Sequence, residues 1–414
     1  MSVVWSHQVN LSLVTQLRTA YFDHAATTDM EPQAVDAYAH HMGMLGNASS
    51  LHSRGRAARR VVEESRETIA RAFGAHPSEV VFTGGGTESD NLAVKGLFWA
   101  RNVEKPRPKI VISAVEHHAV MDPAHWLETH EGAEIVWIPV DECGLVSIDV
   151  LENVLRDNAD SIAFVSVMWA NNEVGTIQPV ADIVALAHSY DVPVHSDAVQ
   201  AAGHVDVNFS ASGLDAMTIT AHKLGGPVGV GALFLRRDVK VVPVIHGGGQ
   251  ERSVRSGTLD TAGIASFAAA VSVVRERIVE HGERLVALRN LLMRRVRETI
   301  PSAVVQGIDP EGENAHLRLP SNAHFTFDNC EGDSLIFLLD SQGVAASTGS
   351  ACQAGVPQPS HVLLAMGVSE SVARGALRFS LGNTTSMDDV DLLLDVLPQA
   401  VERASAAGLA SAGK

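Results

Sequence analysis

Between about residues 55 and 260 the chain repeats one pattern: a short apolar run, a turn, then a segment with helical spacing. The runs "EVVF", "KIVIS", "AEIVWI", "SIAFVSV", "VPVHS", "AMTIT" and "VGALFLR" are rich in Val and Ile and do not alternate apolar with polar residues. A strand that is apolar on both sides must be covered on both sides, which specifies a mostly parallel sheet between layers of helices. The intervening segments supply those helices. In "AARRVVEESRETIARAF" Val62, Ile69 and Phe73 share one face, and in "VADIVALAHSY" Val180, Ile183, Val184 and Ala187 do the same. Sheets of this kind take ligands in the crevice off the carboxyl ends of their strands. The residues that follow each run therefore carry the functional information.

After "VVF" come Thr83, three glycines, Thr87 and a helical pattern. Such a turn offers backbone N–H groups and a helix N-terminus to an anion, although a plain tight turn explains it equally well. No Gly-Lys-Ser/Thr follows, which disfavours a nucleoside triphosphate loop. After "IVISAV" stands Glu116-His117-His118. A lone histidine there is more often structural than catalytic, and adjacent histidines on a strand point to opposite faces and do not share a metal. The asparagines of "NNEVG" either cap the next helix or bind a ligand oxygen. Asp197 ends "VPVHSD", with Gln200 one turn on, and a carboxylate there needs a partner such as a protonated ring nitrogen. Lys223, after "AMTIT", is the least bland of these residues, because lysines are seldom inside unless paired. Its amine suits a Schiff base with a carbonyl. An amine, a carboxylate for a pyridinium nitrogen and a glycine-rich helix start for a phosphate are the parts that hold pyridoxal phosphate.

The stretch "AASTGSACQAG" places Cys352, one of only three cysteines, among small residues where nothing large packs against it. A thiol so placed is positioned to be reached or to move. The other cysteines, Cys143 in "DECG" and Cys330 in "DNCEGD", give neither metal spacing nor a disulfide framework, and the sparse, odd count suits a reducing cytoplasm. A net charge of -17 argues against a nucleic-acid or membrane surface as the main partner. With 414 residues, about two domains are expected. The long helical pattern at 262 to 300, expected to break near Gly282, leads into the second.

Taken together these motifs resemble the cysteine desulfurases of the class V aminotransferase family. The likeness runs from "YFDHAATT" through "GNASSLHSRGRAA", "FTGGGTESDNLAVKG", "VEHHAV", "NNEVGTIQP", "HSDAVQ", "AHKLGGPVGVGAL", "HGGGQERSVRSGT" and "STGSAC" to "RFSLG". The cysteine segment is similar to the long-loop "SGSAC" group, with Thr348 where many relatives have Ser and Gln353 where Thr is frequent. The resemblance implies the pyridoxal phosphate fold type I. That fold joins a large domain, with a mostly parallel seven-stranded sheet covered by helices, to a smaller α+β domain. The expected division is an extension at 1–20, a cofactor domain at 21–262 whose first residues pack with the small domain, a small domain at 263–400 carrying the Cys352 loop, and a flexible tail at 401–414.

The resemblance further implies that Lys223 is the Schiff-base lysine, that Asp197 pairs with the ring nitrogen and that His117 stacks on the ring. Asn172 and Gln200 would contact the phenolic oxygen. Thr87, Thr220, His222 and Gly86 would hold the phosphate, joined by Thr258 from the neighbouring subunit of a homodimer. Arg378, assisted by Asn47, would grip the substrate carboxylate. Cys352, with Lys223 and His117 as acid/base groups, would accept sulfur from L-cysteine and release alanine. The expected destinations of the sulfur are an iron–sulfur scaffold protein and tRNA thiolation enzymes, without direct nucleic-acid contact. The competing activities on the same fold are a selenocysteine lyase, a cysteine sulfinate desulfinase and a class V aminotransferase. A hydrolase is disfavoured, because "HGGGQ" has no Gly-x-Ser-x-Gly nucleophile to serve.

Overall fold

The computed structural model describes residues 18–350 and 358–412. The apolar runs form one seven-stranded sheet, in the order Val80–Thr83, Gly231–Leu235, Ala216–Thr220, Val194–Asp197, Ile162–Ser166, Lys109–Ser113, Glu134–Ile138. Only Gly231–Leu235 runs antiparallel to its neighbours; the other pairings are parallel. The five central strands are buried along nearly their whole length, as sequences apolar on both sides require. One layer of core holds Val62, Ile69 and Phe73 of the helix side together with Val165, Met217 and Phe234. The opposite layer holds Leu92, Val94 and Leu97 of the helix Gly86–Arg101 against Ile110, Ile112 and Leu233.

A three-stranded antiparallel sheet, Ala376–Ser380, Asn322–Phe327, Ala303–Val305, organises the second body. Its core includes Phe325, Phe379, Leu335 and Leu393. Ala20 and Phe22 belong to that core, and the strand Ala20–Tyr21 pairs in parallel with Val344–Ala345. The first described residues thus cross over to the far end of the chain, which brings Asp23 and Ala25 between the two bodies.

The helix Thr261–Thr299 runs without interruption through Gly282, contrary to the expected break. A glycine inside a helix costs only about 1 kcal/mol relative to alanine, and both halves of this helix are fixed by burial. Ile264, Phe267 and Val271 pack into the large core, and Leu285, Leu292 and Val296 into the small one. The helix therefore belongs to both bodies. The tail also differs from expectation. The helix Met387–Ala412 continues through most of 401–414, because Val401 and Ala404 are buried in the small core. Among the described residues, no helix is long and apolar enough to cross a membrane.

Candidate active site

The carboxyl ends of the parallel strands open on a cavity of about 230 Å³, lined by Gly86, Thr87, His117, Asn172, Asp197, Gln200, Thr220, His222 and Lys223. Nine residues expected to bind one cofactor, scattered over nearly 140 positions, thus face one space. Asp197 and Thr220 end buried strands, and the others follow the carboxyl end of one.

The turn after Val80–Thr83 brings Gly85, at φ +143°, to the start of the helix Gly86–Arg101, which has no side-chain cap. Its first N–H groups are left facing the cavity, where the helix dipole favours an anion. Glycine is required here twice over. Gly85 occupies backbone space that other residues rarely adopt, and a Cβ on Gly231 would come within 2.7 Å of the Gly85 carbonyl carbon. Glu88 turns back to accept from the Gly84 N–H at 2.7 Å and pairs with Arg255 at 2.8 Å, which draws its charge away from the cavity-facing N–H groups.

Lys223 lies in the single turn Ala221–Lys223 after the strand Ala216–Thr220. Its Nζ donates to the Ala25 carbonyl at 2.7 Å, and Gln200 Nε2 donates to the same oxygen at 3.0 Å. Burial first, then the Arg378 charge, lower the amine to about 8, against the opposing pull of Asp197 and Asp23. Asp197, 5% exposed, accepts from the Val199 N–H at 2.8 Å. Burial raises its carboxyl to about 6, opposed by that hydrogen bond and by Lys223. At about 6 it stays mostly ionised at neutral pH, and a cation brought beside it would hold that charge more firmly.

His117 stands at the N-cap of the helix His118–Glu131 rather than on the strand, and its Nδ1 accepts from the Ala119 N–H at 3.1 Å. That bond assigns the lone pair to Nδ1, so the neutral ring carries its proton on Nε2. Burial, followed by the charges of Lys223, His118 and His361, lowers the ring to about 4. His117 is thus a neutral ring with an N–H to donate, poorly suited to take a proton from a thiol. Of the two asparagines, Asn171 is structural: its Oδ1 accepts from the Glu173 and Val174 N–H groups, and its Nδ2 donates to Val115. Asn172 is the one that reaches the cavity.

Three expected residues stand apart. Arg378 does not line the cavity; its fork donates to Asp23 at 2.8 Å and to the Asn172 carbonyl at 2.8 Å. To grip a substrate carboxylate it must exchange Asp23 for that group. Asn47 is exposed and bonds locally to the Ser49 N–H at 2.9 Å. Thr258 is exposed on the loop before Thr261, outside this cavity. Cys352 lies outside the described residues. Sequence reasoning assigned no role to Asp23, Ala25, Met168 or Asp90, although Asp23 and Ala25 fall in "DHAATT" and Asp90 in "TESDN". Asp90 and Met168 line the cavity. A carboxylate within the buried face of a helix was the available signal for Asp90.

These residues fit pyridoxal phosphate: an uncapped helix start for the phosphate, a buried carboxylate that needs a cation, and an amine lowered toward neutrality. Among the described residues no group of three His, Cys, Asp or Glu side chains could hold a metal ion.

Comparison with known proteins places this site in a family. The model for the aminotransferase class-V family matches residues 20–393. An IscS-like cysteine desulfurase of Mycobacterium tuberculosis is 54% identical over 395 residues, covering 95% of this chain and 99% of that protein. The X-ray structure of a NifS-like protein from Rickettsia africae superimposes with a TM-score of 0.83 at 32% identity, over 93% of this chain and all of that one. The structure titled SspA in complex with cysteine gives a TM-score of 0.74 at 32% identity, over 88% of this chain and 99% of that one. The chain belongs to the aminotransferase class-V family, among its IscS- and NifS-like cysteine desulfurases.

Proposed function

We propose that the protein is a pyridoxal phosphate-dependent cysteine desulfurase. It converts L-cysteine to L-alanine and leaves the sulfur as a persulfide on Cys352, destined for iron–sulfur cluster assembly, with tRNA thiolation as a second outlet. The observation that carries this reading is the convergence of Lys223, Asp197 and the uncapped helix start on one cavity. Relatives named cysteine desulfurase and a neighbour whose structure is in complex with cysteine support the substrate.

When bound, pyridoxal phosphate supplies an electron sink for the α-carbon of the substrate. The chain's residues do the rest. The helix start at Gly86, with Thr87, Thr220 and His222, would hold the phosphate, and Thr258 would complete this cradle from the second subunit of a homodimer. Asp197 would keep the ring nitrogen protonated, His117 would stack on the ring, and Asn172 and Gln200 would hydrogen-bond its phenolic oxygen. Arg378 turns from Asp23 to the substrate carboxylate, with Asn47 assisting. Lys223, at about 8, is matched to move protons near neutral pH and is nearer than His117 to the thiol's ordinary value of about 8.5. The Cys352 thiolate then attacks the substrate sulfur. An S–S bond forms as the C–S bond breaks, its electron pair stays with carbon, and that carbon takes a proton to become the methyl group of alanine. The reaction is placed in the cytoplasm and needs no direct contact with nucleic acid or membrane.

The test supplies purified protein with L-cysteine and follows alanine and protein-bound sulfane sulfur. Cys352→Ser should keep the cofactor's colour and form no persulfide. Keto-acid-dependent amino exchange without sulfane sulfur would instead identify an aminotransferase.

A further inference from the structure

One buried carboxyl at this site has no place in the roles above. Asp90, in the second turn of the helix Gly86–Arg101, is 1% exposed and lines the cavity with Asp197. Among the described residues its buried Oδ1 has no hydrogen-bond partner. The nearest basic atom is Nε2 of His195, 3.5 Å away. His195 is fully buried, two residues before Asp197 and on the same side of the strand Val194–Asp197. Its Nδ1 lies 2.9 Å from the Ser166 hydroxyl and its Nε2 3.2 Å from the Thr218 hydroxyl.

The charges around this group do not permit a second anion. Lys223 acts on Asp197, which also holds the Val199 N–H. Glu116, a further buried carboxyl pushed up to about 8 by burial, brings no cation that could serve as a partner. His195 is neutral, lowered by burial to about 3. Burial first, then the Asp197 charge, raises the Asp90 carboxyl well above the usual range, with the Thr218 hydroxyl pulling the other way. A buried charge without a partner keeps its proton instead of ionising.

We propose that Asp90 is a neutral carboxylic acid, its O–H directed at His195 Nε2, and that it is a positioning residue acting through Asp197. By staying neutral it leaves Asp197 as the single ionised carboxylate against the ring nitrogen. His195 then carries its own proton on Nδ1 and donates to Ser166. This rests on the reading of Asp197 as the ring-nitrogen partner, but the protonation state itself is testable without any cofactor.

Infrared spectra of the apo-protein at pH 8, in ordinary and heavy water, report protonated carboxyl C=O bands. Asp90→Asn should remove one such band that Glu116→Gln leaves in place, and His195→Gln should shift that band without abolishing it. Loaded with pyridoxal phosphate, Asp90→Asn, a neutral isostere, should keep the wild-type pH midpoint of the visible spectrum, whereas Asp197→Asn should move it. An Asp90→Asn spectrum retaining every protonated-carboxyl band, or a cofactor affinity reduced more than about tenfold in that variant, would overturn the proposal. If the band behaves as expected but the protein takes up no pyridoxal phosphate, the cofactor reading fails and the neutral Asp90 stands.

Discussion

Capture of pyridoxal phosphate by the apo-protein should follow the neutral fraction of the Lys223 amine. Only the deprotonated amine has the lone pair that attacks an aldehyde. An ordinary lysine, at about 10.4, leaves roughly one molecule in 2,500 neutral at pH 7. Lys223, lowered to about 8, leaves about one in ten, a gain of roughly 230-fold, equivalent to about 3 kcal/mol. The assay mixes apo-protein with pyridoxal phosphate and times the growth of visible absorbance between about pH 6 and pH 10. The rate should climb about tenfold per pH unit, then level off near pH 8. Two variants should move that midpoint in opposite directions. Arg378→Gln removes a charge that lowers the amine and should raise the midpoint; Asp197→Asn removes one that raises it and should lower the midpoint. A rate still climbing at pH 10, or both variants shifting the same way, would refute the reasoning.

Three further outcomes follow from other contacts. Arg378→Lys should raise KM for L-cysteine by about 10- to 100-fold, because an ammonium cannot reproduce the planar fork's paired bonds to a carboxylate; an unchanged KM would remove Arg378 from substrate binding. Gly231→Ala should weaken pyridoxal phosphate binding at least about tenfold in an absorbance titration, since the added methyl meets backbone at Gly85 and Ile219 that cannot move cheaply. Glu251→Ala should cost about 3–5 kcal/mol in unfolding experiments, because it removes the buried carboxylate 2.7 Å from Arg66 and the acceptor of the Phe82 N–H, leaving Arg66 only Glu63 and the Val80 carbonyl; a loss under about 1 kcal/mol would show that Glu63 and water replace the pair.

The sheet was legible because its strands are apolar on both sides, a pattern that few arrangements satisfy. The cavity residues were legible for a related reason: each interrupts an apolar context with a group that needs a partner, as Lys223 and Asp197 do. What stayed hidden depends on contacts with no local signature. The Ala25 carbonyl that receives both Lys223 and Gln200 is a backbone atom some 175 to 198 positions away. The position of His117 after an apolar run suggests a strand end, yet its bond to Ala119 makes it a helix cap and sets its tautomer. Gly282 suggested a break because glycine is weak in helices, but packing of the flanking segments into two cores outweighs that weakness.

The most direct test locates the sulfur. After one turnover with isotopically labelled L-cysteine, mass spectrometry of peptides alkylated under non-reducing conditions should find the extra sulfur on Cys352, with one alanine released per persulfide. Extra sulfur on Cys143 or Cys330, or alanine formed while Cys352 carries none, would contradict the account.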